Sequence, residues 1–195
     1  MIRLFDIFFS ALGLIILFPF FIVFYLLIRI ESKGGAFYIQ ERIGKNGKPF
    51  GLYKFRSMRV GSDAEGLLTV GERDNRITRI GYVLRKTKID ELPQLLNVLK
   101  GDMSLVGPRP EVRKYTDMYT EEQRKVLCVR PGITDYASIE YVNENELLSK
   151  ADDPERMYIE KVMPDKIKLN MKYLEHYTVG EYFKIIFLTF KSLVK

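Results

Sequence analysis

The chain has 195 residues, 47% of them hydrophobic and 29% charged, which permits a real core and argues against a protein buried wholly in a membrane. A formal net charge of +6 points to anionic partners such as phosphates, nucleic acid or an acidic lipid surface. The lone cysteine, Cys128, excludes an intramolecular disulfide, and with one histidine, His176, a zinc site is not indicated, whereas a carboxylate-bound Mg²⁺ stays open.

From Ile7 to Ile28 no residue is charged. That run measures about 33 Å as a helix, enough to cross a bilayer core, and it offers no small-residue cleavage site for a signal peptide. Pro19 predicts a break or kink near Phe18. Basic residues stand at both ends, Arg3 before the run and Arg29 and Lys33 after it, so the positive-inside rule does not orient a single span. A re-entrant helix-break-helix with both ends in the cytoplasm removes that conflict. On these residues alone it stands level with a proline-kinked span.

After the anchor, residues 1–33, two short strands are expected near Phe37–Gln40 and Phe50–Phe55, joined through Asn46-Gly47, a strong hairpin signal. Lys54, Arg56 and Arg59 follow with aromatic residues between them, as expected at a lipid headgroup surface or on a solvated strand edge. Val60 to Arg76 reads as a mobile loop, and Arg79–Arg85 as the start of an amphipathic helix. Next, Asp90-Glu91 opens a helix with Asp90 near its N-cap and Pro93 in the first turn; Leu92, Leu95, Leu96 and Leu99 form its core face and Gly101 ends it. Gly107-Pro108-Arg109-Pro110 is a rigid turn presenting a guanidinium.

Thr120 and Gln123 make a capping box for a helix from Glu121 to about Val129. Within it Cys128, among Val126, Leu127 and Val129, reads as a buried, inert thiol. Ile133–Val142 reads as a strand, and Pro154 opens a helix that Pro164 interrupts. The tail, Glu181–Lys195, sets Lys184, Lys191 and Lys195 on one face with Phe183, Ile186, Phe187 and Phe190 largely opposite. That pattern suits an interfacial helix or an ordinary helix packed on the core. The fold expected is therefore α+β: a mostly helical domain over residues 34–180 with a small β-hairpin or sheet, a membrane anchor before it and an amphipathic helix over 181–195.

Taken by itself, Asp90-Glu91 is an ordinary helix cap with a charged neighbour. The two carboxylates lie, however, among Arg85, Lys86, Lys88, Arg109 and Arg113, a combination that suits a phosphate and a metal ion. No P-loop, G-x-G-x-x-G, G-x-S-x-G or H-E-x-x-H pattern is present, which argues against ATPases, Rossmann dehydrogenases, serine hydrolases and zincins.

The order of a proline-bearing anchor, YKFRSM, IDELPQLLNVLKGDMSLVGPRP and RPGIT closely resembles the bacterial sugar transferases, the small monotopic phosphoglycosyl transferases, over nearly the whole chain. The resemblance implies transfer of a sugar 1-phosphate from a nucleotide sugar, usually a UDP-sugar, to a polyprenyl phosphate, usually undecaprenyl phosphate. It would release UMP at the cytoplasmic face of the bacterial inner membrane as the first membrane step of glycoconjugate assembly. It implies a re-entrant anchor, Asp90 as covalent nucleophile, Glu91 as ligand of a required Mg²⁺ shared with Asp90, and Arg85, Lys88, Arg109 and Arg130 as substrate-binding residues. Membrane lipids become partners and nucleic acid does not; a homodimer and contacts with downstream glycosyltransferases stay open.

Where many members read Gly-Trp and then an Asn-Gly turn, this chain has Asp135-Tyr136 and later Glu140-Tyr141, so sugar identity is not carried over. Arg42-Ile43-Gly44 stands where an Arg-Pro-Gly turn is frequent. The competing reading is a membrane-tethered basic module that binds anionic lipid or nucleic acid without chemistry. A third is a hydrolase using the same aspartyl phosphate.

Overall fold

A computed structural model describes residues 1–62 and 74–193; the central part of the expected 60–76 loop and the last two residues of the expected tail lie outside the described residues. Helices predominate, accompanied by two small sheets of two strands each. Helix α1 (Ile2–Glu31) keeps helical conformation on both sides of Pro19, where the sequence predicts a break or kink. The proline removes one backbone bond, to the Ile15 carbonyl, and helical residues flank it on both sides. Among the described residues α1 alone is long and apolar enough to cross a membrane, and the protein buries only 6% of its most apolar window.

Both ends of α1 are fastened to the same domain. At its start, Arg3 donates to the carbonyls of Val98 and Leu99 (2.5 and 2.9 Å), and buried Asp6 Oδ1 accepts from Ser104 Oγ (2.9 Å), the Leu105 N–H (2.9 Å) and the Tyr182 hydroxyl (3.0 Å). At its end, Glu31 accepts from the N–H groups of Arg79 and Ile80, both at 2.8 Å. A carboxylate there satisfies two donors that a helix start leaves open and favours the positive end of its dipole.

Those donors begin α2 (Arg79–Lys86), which Thr78 also caps through the Gly81 N–H. Before it, the expected hairpin forms from β1 (Phe37–Ile43) and β2 (Pro49–Phe55), antiparallel, with Asn46 and Gly47 both at positive φ in the turn. Phe21 and Phe24 of α1 pack against Phe55 of this hairpin, and with Ile28, Ala36 and Leu84 they join the second half of α1 to the domain.

Helix α3 (Gln94–Lys100) reverses one expectation. Its buried face carries Gln94, Asn97 and Val98, while Leu96 and Leu99 are 36% and 39% exposed and Leu95 meets Gly13 of α1. Asn97 explains the turn of the helix: its side chain bridges the Tyr53 N–H (3.0 Å) and the Gly51 carbonyl (2.7 Å) of β2, so the polar residue is the one that must face inward. Of the leucines, Leu95 thus meets α1, and Leu96 and Leu99 are left exposed.

Strands β3 (Ser104–Val106) and β4 (Gly132–Thr134) pair in parallel and bring the GPRP and RPGIT segments side by side. The expected strand Ile133–Val142 ends early because Asp135 caps α5 (Tyr136–Glu140), accepting from the Ser138 N–H at 2.6 Å. A Cβ on Gly132 would overlap the backbone of Gly107. Gly132→Ala is therefore expected to cost about 1–3 kcal/mol, read as a lower melting temperature in detergent; unchanged melting would refute so close an approach.

The Thr120–Gln123 capping box forms in both directions (2.9 and 3.2 Å), but the run Gln123–Cys128 winds as a 3₁₀ helix. Its three-residue turn sends Val126 inward and leaves Cys128 exposed, contrary to the expected buried thiol. Beyond α4 (Arg113–Thr116) and α6 (Glu144–Ser149), α7 (Pro154–Met157) passes through a π-helical stretch directly into α8 (Met163–Glu175). Pro164 does not interrupt the run, because the wide turn just before it places the proline in the first turn of α8. Helix α9 (Val179–Leu193) inserts Tyr182 and Ile185 into the core and turns Phe183, Phe187 and Phe190 outward.

Candidate active site

Asp90 and Glu91 do not cap α3. They sit in a 3₁₀ turn, Ile89–Glu91, entered from Lys88 in left-handed conformation at φ 58°. A non-glycine residue there costs about 1–3 kcal/mol, and such strain gathers at functional sites. The turn separates two adjacent carboxylates into different surroundings.

Glu91 is clamped. Arg109 donates through Nη1 to Oε2 at 3.0 Å and through Nη2 to Oε1, while Lys54 Nζ lies 3.4 Å from Oε1. Burial alone would raise the Glu91 pKa, but Arg109 and Lys54 outweigh it and hold the carboxyl well below the usual range. The same pairing raises the Arg109 pKa, whereas burial lowers that of Lys54.

Asp90 is only 5% exposed, yet no described residue donates a hydrogen bond to its carboxylate. Burial, and then the Glu91 charge, push its pKa up to about 6, against the pull of Lys54, Arg85 and Lys88. One carboxylate is thus fixed by its ion pairs, and its neighbour is buried with no donor among the described residues.

Both line a cleft of about 630 Å³ together with Lys54, Arg85, Lys88 and Arg109. The structure therefore gathers five of the six residues expected at the site. Arg130 is the exception: it does not line the cleft, and its Nε donates to the Gly101 carbonyl at 2.8 Å, closing the end of α3. A helix C-terminus with open carbonyls attracts a guanidinium without any ligand. Arg130→Ala is expected to lower stability by about 1 kcal/mol and to leave the KM for donor unchanged; a several-fold rise in KM at wild-type stability would return Arg130 to the site.

Two residues of the site were not evident beforehand. Lys54 stood out in sequence as part of a basic, aromatic run, with nothing to show that the strand turns it toward Glu91. Asp135, fully buried, holds the Arg109 N–H through Oδ2 at 3.0 Å while capping α5. Its position three residues before Ser138 was a capping signal, masked by the β-branched residues around it.

Among the described residues no cluster of three His, Cys, Asp or Glu side chains forms. Mg²⁺ at phosphate-transferring sites takes one or two carboxylates and completes its shell with phosphate oxygens and water. The adjacent Asp90 and Glu91 fit that smaller demand, and a buried carboxylate without a donor is a place where a cation relieves the charge.

The sequence profile of the family described as bacterial sugar transferase matches residues 1–195. The UDP-N-acetylgalactosamine-undecaprenyl-phosphate N-acetylgalactosaminephosphotransferase of Aeromonas hydrophila is 42% identical over 137 residues, covering 69% of this chain and 32% of its own. The UDP-glucose:undecaprenyl-phosphate glucose-1-phosphate transferase of Escherichia coli (strain K12) is 34% identical over 194 residues, covering 97% and 39%. The exopolysaccharide production protein PSS of Rhizobium leguminosarum bv. phaseoli is 46% identical over 144 residues, covering 70% and 72%. The chain thus spans well under half the length of the first two. With a match from end to end and the Asp-Glu pair, GPRP and RPGIT gathered around one cleft, this chain belongs to the bacterial sugar transferase family.

Proposed function

We propose that the protein transfers a sugar 1-phosphate from a UDP-sugar to undecaprenyl phosphate at a membrane surface, releasing UMP, with Asp90 as nucleophile. The observation that supports this reading is the difference between the two carboxylates: Glu91 is held by Arg109 and Lys54, and Asp90 lines the cleft with no donor among the described residues. Names of relatives supply the donor and acceptor classes.

In the first half-reaction an Asp90 carboxylate oxygen attacks the β-phosphorus of the donor. The bond from that phosphorus to the bridging oxygen breaks, UMP leaves with the electron pair, and the sugar phosphate stays on Asp90. In the second, a phosphate oxygen of the lipid attacks the same phosphorus and expels the Asp90 carboxylate. Splitting one displacement into two is the usual gain of covalent catalysis. Arg109, Lys54, Arg85 and Lys88 offset charge that would otherwise repel an anionic nucleophile from an anionic centre. Asp90 and Glu91 are the residues that would hold Mg²⁺, and the ion would supply further charge neutralisation when bound.

The anchor fits the same reading. Since Asp6 and Glu31 are both fastened to the catalytic domain, a re-entrant α1 with both ends on the cytoplasmic side is favoured over a span. In a Cys128→Ser background, which removes the exposed native thiol, Ile2→Cys and Lys33→Cys are expected to label from the cytoplasmic side only. Labelling from opposite sides would eliminate the re-entrant form.

The direct test incubates the purified protein in nanodiscs with Mg²⁺, undecaprenyl phosphate and a panel of UDP-sugars. Lipid-dependent UMP release from at least one donor is expected. Sugar phosphate released without the lipid would instead mark a hydrolase, and salt-sensitive nucleic-acid binding with no UMP a binding module.

A further inference from the structure

The same cleft carries a second charged group that the transfer steps do not use. Lys166 of α8, 8% exposed, stands between two carboxylates. Its Nζ donates to Glu144 Oε2 at 2.9 Å, lies 4.0 Å from Glu111 Oε1 and sits 5.3 Å from the centre of the Tyr158 ring. Glu111 also accepts from the Tyr158 hydroxyl and pairs with Arg42 at 3.5 Å. Because Glu111 follows Pro110, this group adjoins the arginine-bearing turn; Arg109, Glu111, Lys166 and Asn170 share the wall of a side hollow of about 20 Å³.

The two parts of the cleft differ in charge. Around Asp90, cations outnumber carboxylates, which suits a diphosphate. Around Lys166, the charges of Arg42 and Lys166 are balanced by those of Glu111 and Glu144. A balanced set attracts no further charge, but each member keeps donors or lone pairs for charge-assisted hydrogen bonds to neutral hydroxyls. Two neutral groups add to that capacity, since Ser138 Oγ in the cleft and Asn170 Oδ1 in the hollow have no hydrogen-bond partner among the described residues.

Stability alone is a poor reason for the arrangement. Buried ion pairs are often no better than well-packed apolar residues, so their retention calls for another role. The apolar cluster beneath them, including Leu148, Tyr158, Val162 and Ile167, contains no residue of α1.

We infer that Glu144 and Lys166, steadied by Glu111 and Tyr158, bind a hydroxyl-bearing ring of the nucleotide-sugar donor, with Glu144 discriminating among donors. The inference rests on the transferase reading above. The ring is either the transferred sugar or the ribose, which offer the same chemistry.

The test measures UMP release by the full-length protein and by Glu144→Gln. The substrates are a parent UDP-sugar, analogues lacking one hydroxyl of the transferred sugar, and the 2′-deoxyuridine counterpart. Wild type is expected to lose about 10- to 100-fold in kcat/KM on one analogue. Glu144→Gln should lose a similar factor on the parent and no longer distinguish the two. The analogue concerned identifies the ring. Wild type indifferent to every deletion, or Glu144→Gln with full discrimination, would overturn the inference; the wild-type series decides by itself if the variant does not fold. Absence of UMP from wild type with every donor is a different result, and defeats the transferase reading itself.

Discussion

Replacing Asp90 by Asn is expected to reduce lipid-dependent UMP release on the order of 10⁴-fold or more, while melting temperature at pH 7.5 rises or holds. The side chains are nearly the same size, so the loss falls on chemistry: an amide forms no acyl phosphate. The stability expectation follows from the sign of the pKa shift. The folded state raises the Asp90 pKa to about 6 from its ordinary value of 3.8, so folding favours the protonated form. The carboxyl's contribution to stability is therefore greatest below the unfolded pKa and declines as pH climbs toward 6. At pH 7.5 the charge is a burden that a neutral amide relieves. Activity lost with stability kept is the signature expected of a strained, functional group. A variant that keeps substantial UMP release would remove Asp90 as nucleophile.

The second large effect is expected at Asp6, far from Asp90 in sequence. Asp6→Ala leaves the Tyr182 hydroxyl, the Ser104 hydroxyl and the Leu105 N–H without their shared acceptor. Each buried donor left unmet costs about 1–3 kcal/mol, giving a total of about 3–9 kcal/mol for the three. Asp6→Asn keeps Oδ1 as an acceptor and should lose much less. Thermal unfolding in nanodiscs reads the difference, and an Asp6→Ala protein that melts like wild type would show that the three contacts carry no weight. Leu105 lies two residues before Gly107, so loosening here is also expected to reduce turnover through Arg109.

Sequence made the long apolar helix, the hairpin, α2 and the carboxylate pair legible, because each is announced by local chemistry: an uncharged run, Asn46-Gly47, an amphipathic spacing, adjacent acids. It misled where a local pattern met a stronger distant demand. The leucine periodicity of α3 was genuine, but Asn97 had backbone groups of β2 to satisfy, so Leu95 meets α1 and Leu96 and Leu99 are left exposed. The alternating pattern after Gly132 lost to Asp135, whose two oxygens answer to α5 and to Arg109. Arg130 resembled a substrate ligand by motif, and only the neighbouring α3 carbonyl reveals its structural work. Lys54 and Glu91 lie 37 positions apart, a pairing that only strand orientation establishes.

On the proposed function, the fastening of α1 at both ends has a consequence for how the protein would meet an acceptor lipid. A protein held by a flexible leash samples many heights and tilts above a bilayer, and its active site finds a surface substrate by chance. Here the helix forms part of the walls that hold Leu84, Phe55 and Tyr182. The distance from the hydrocarbon to Asp90 is on this account a built dimension, set when the chain folds. Removing α1 would take away a side of the molecule, and exchanging it for another anchor would lose the gauge that brings a phosphate head to the carboxylate.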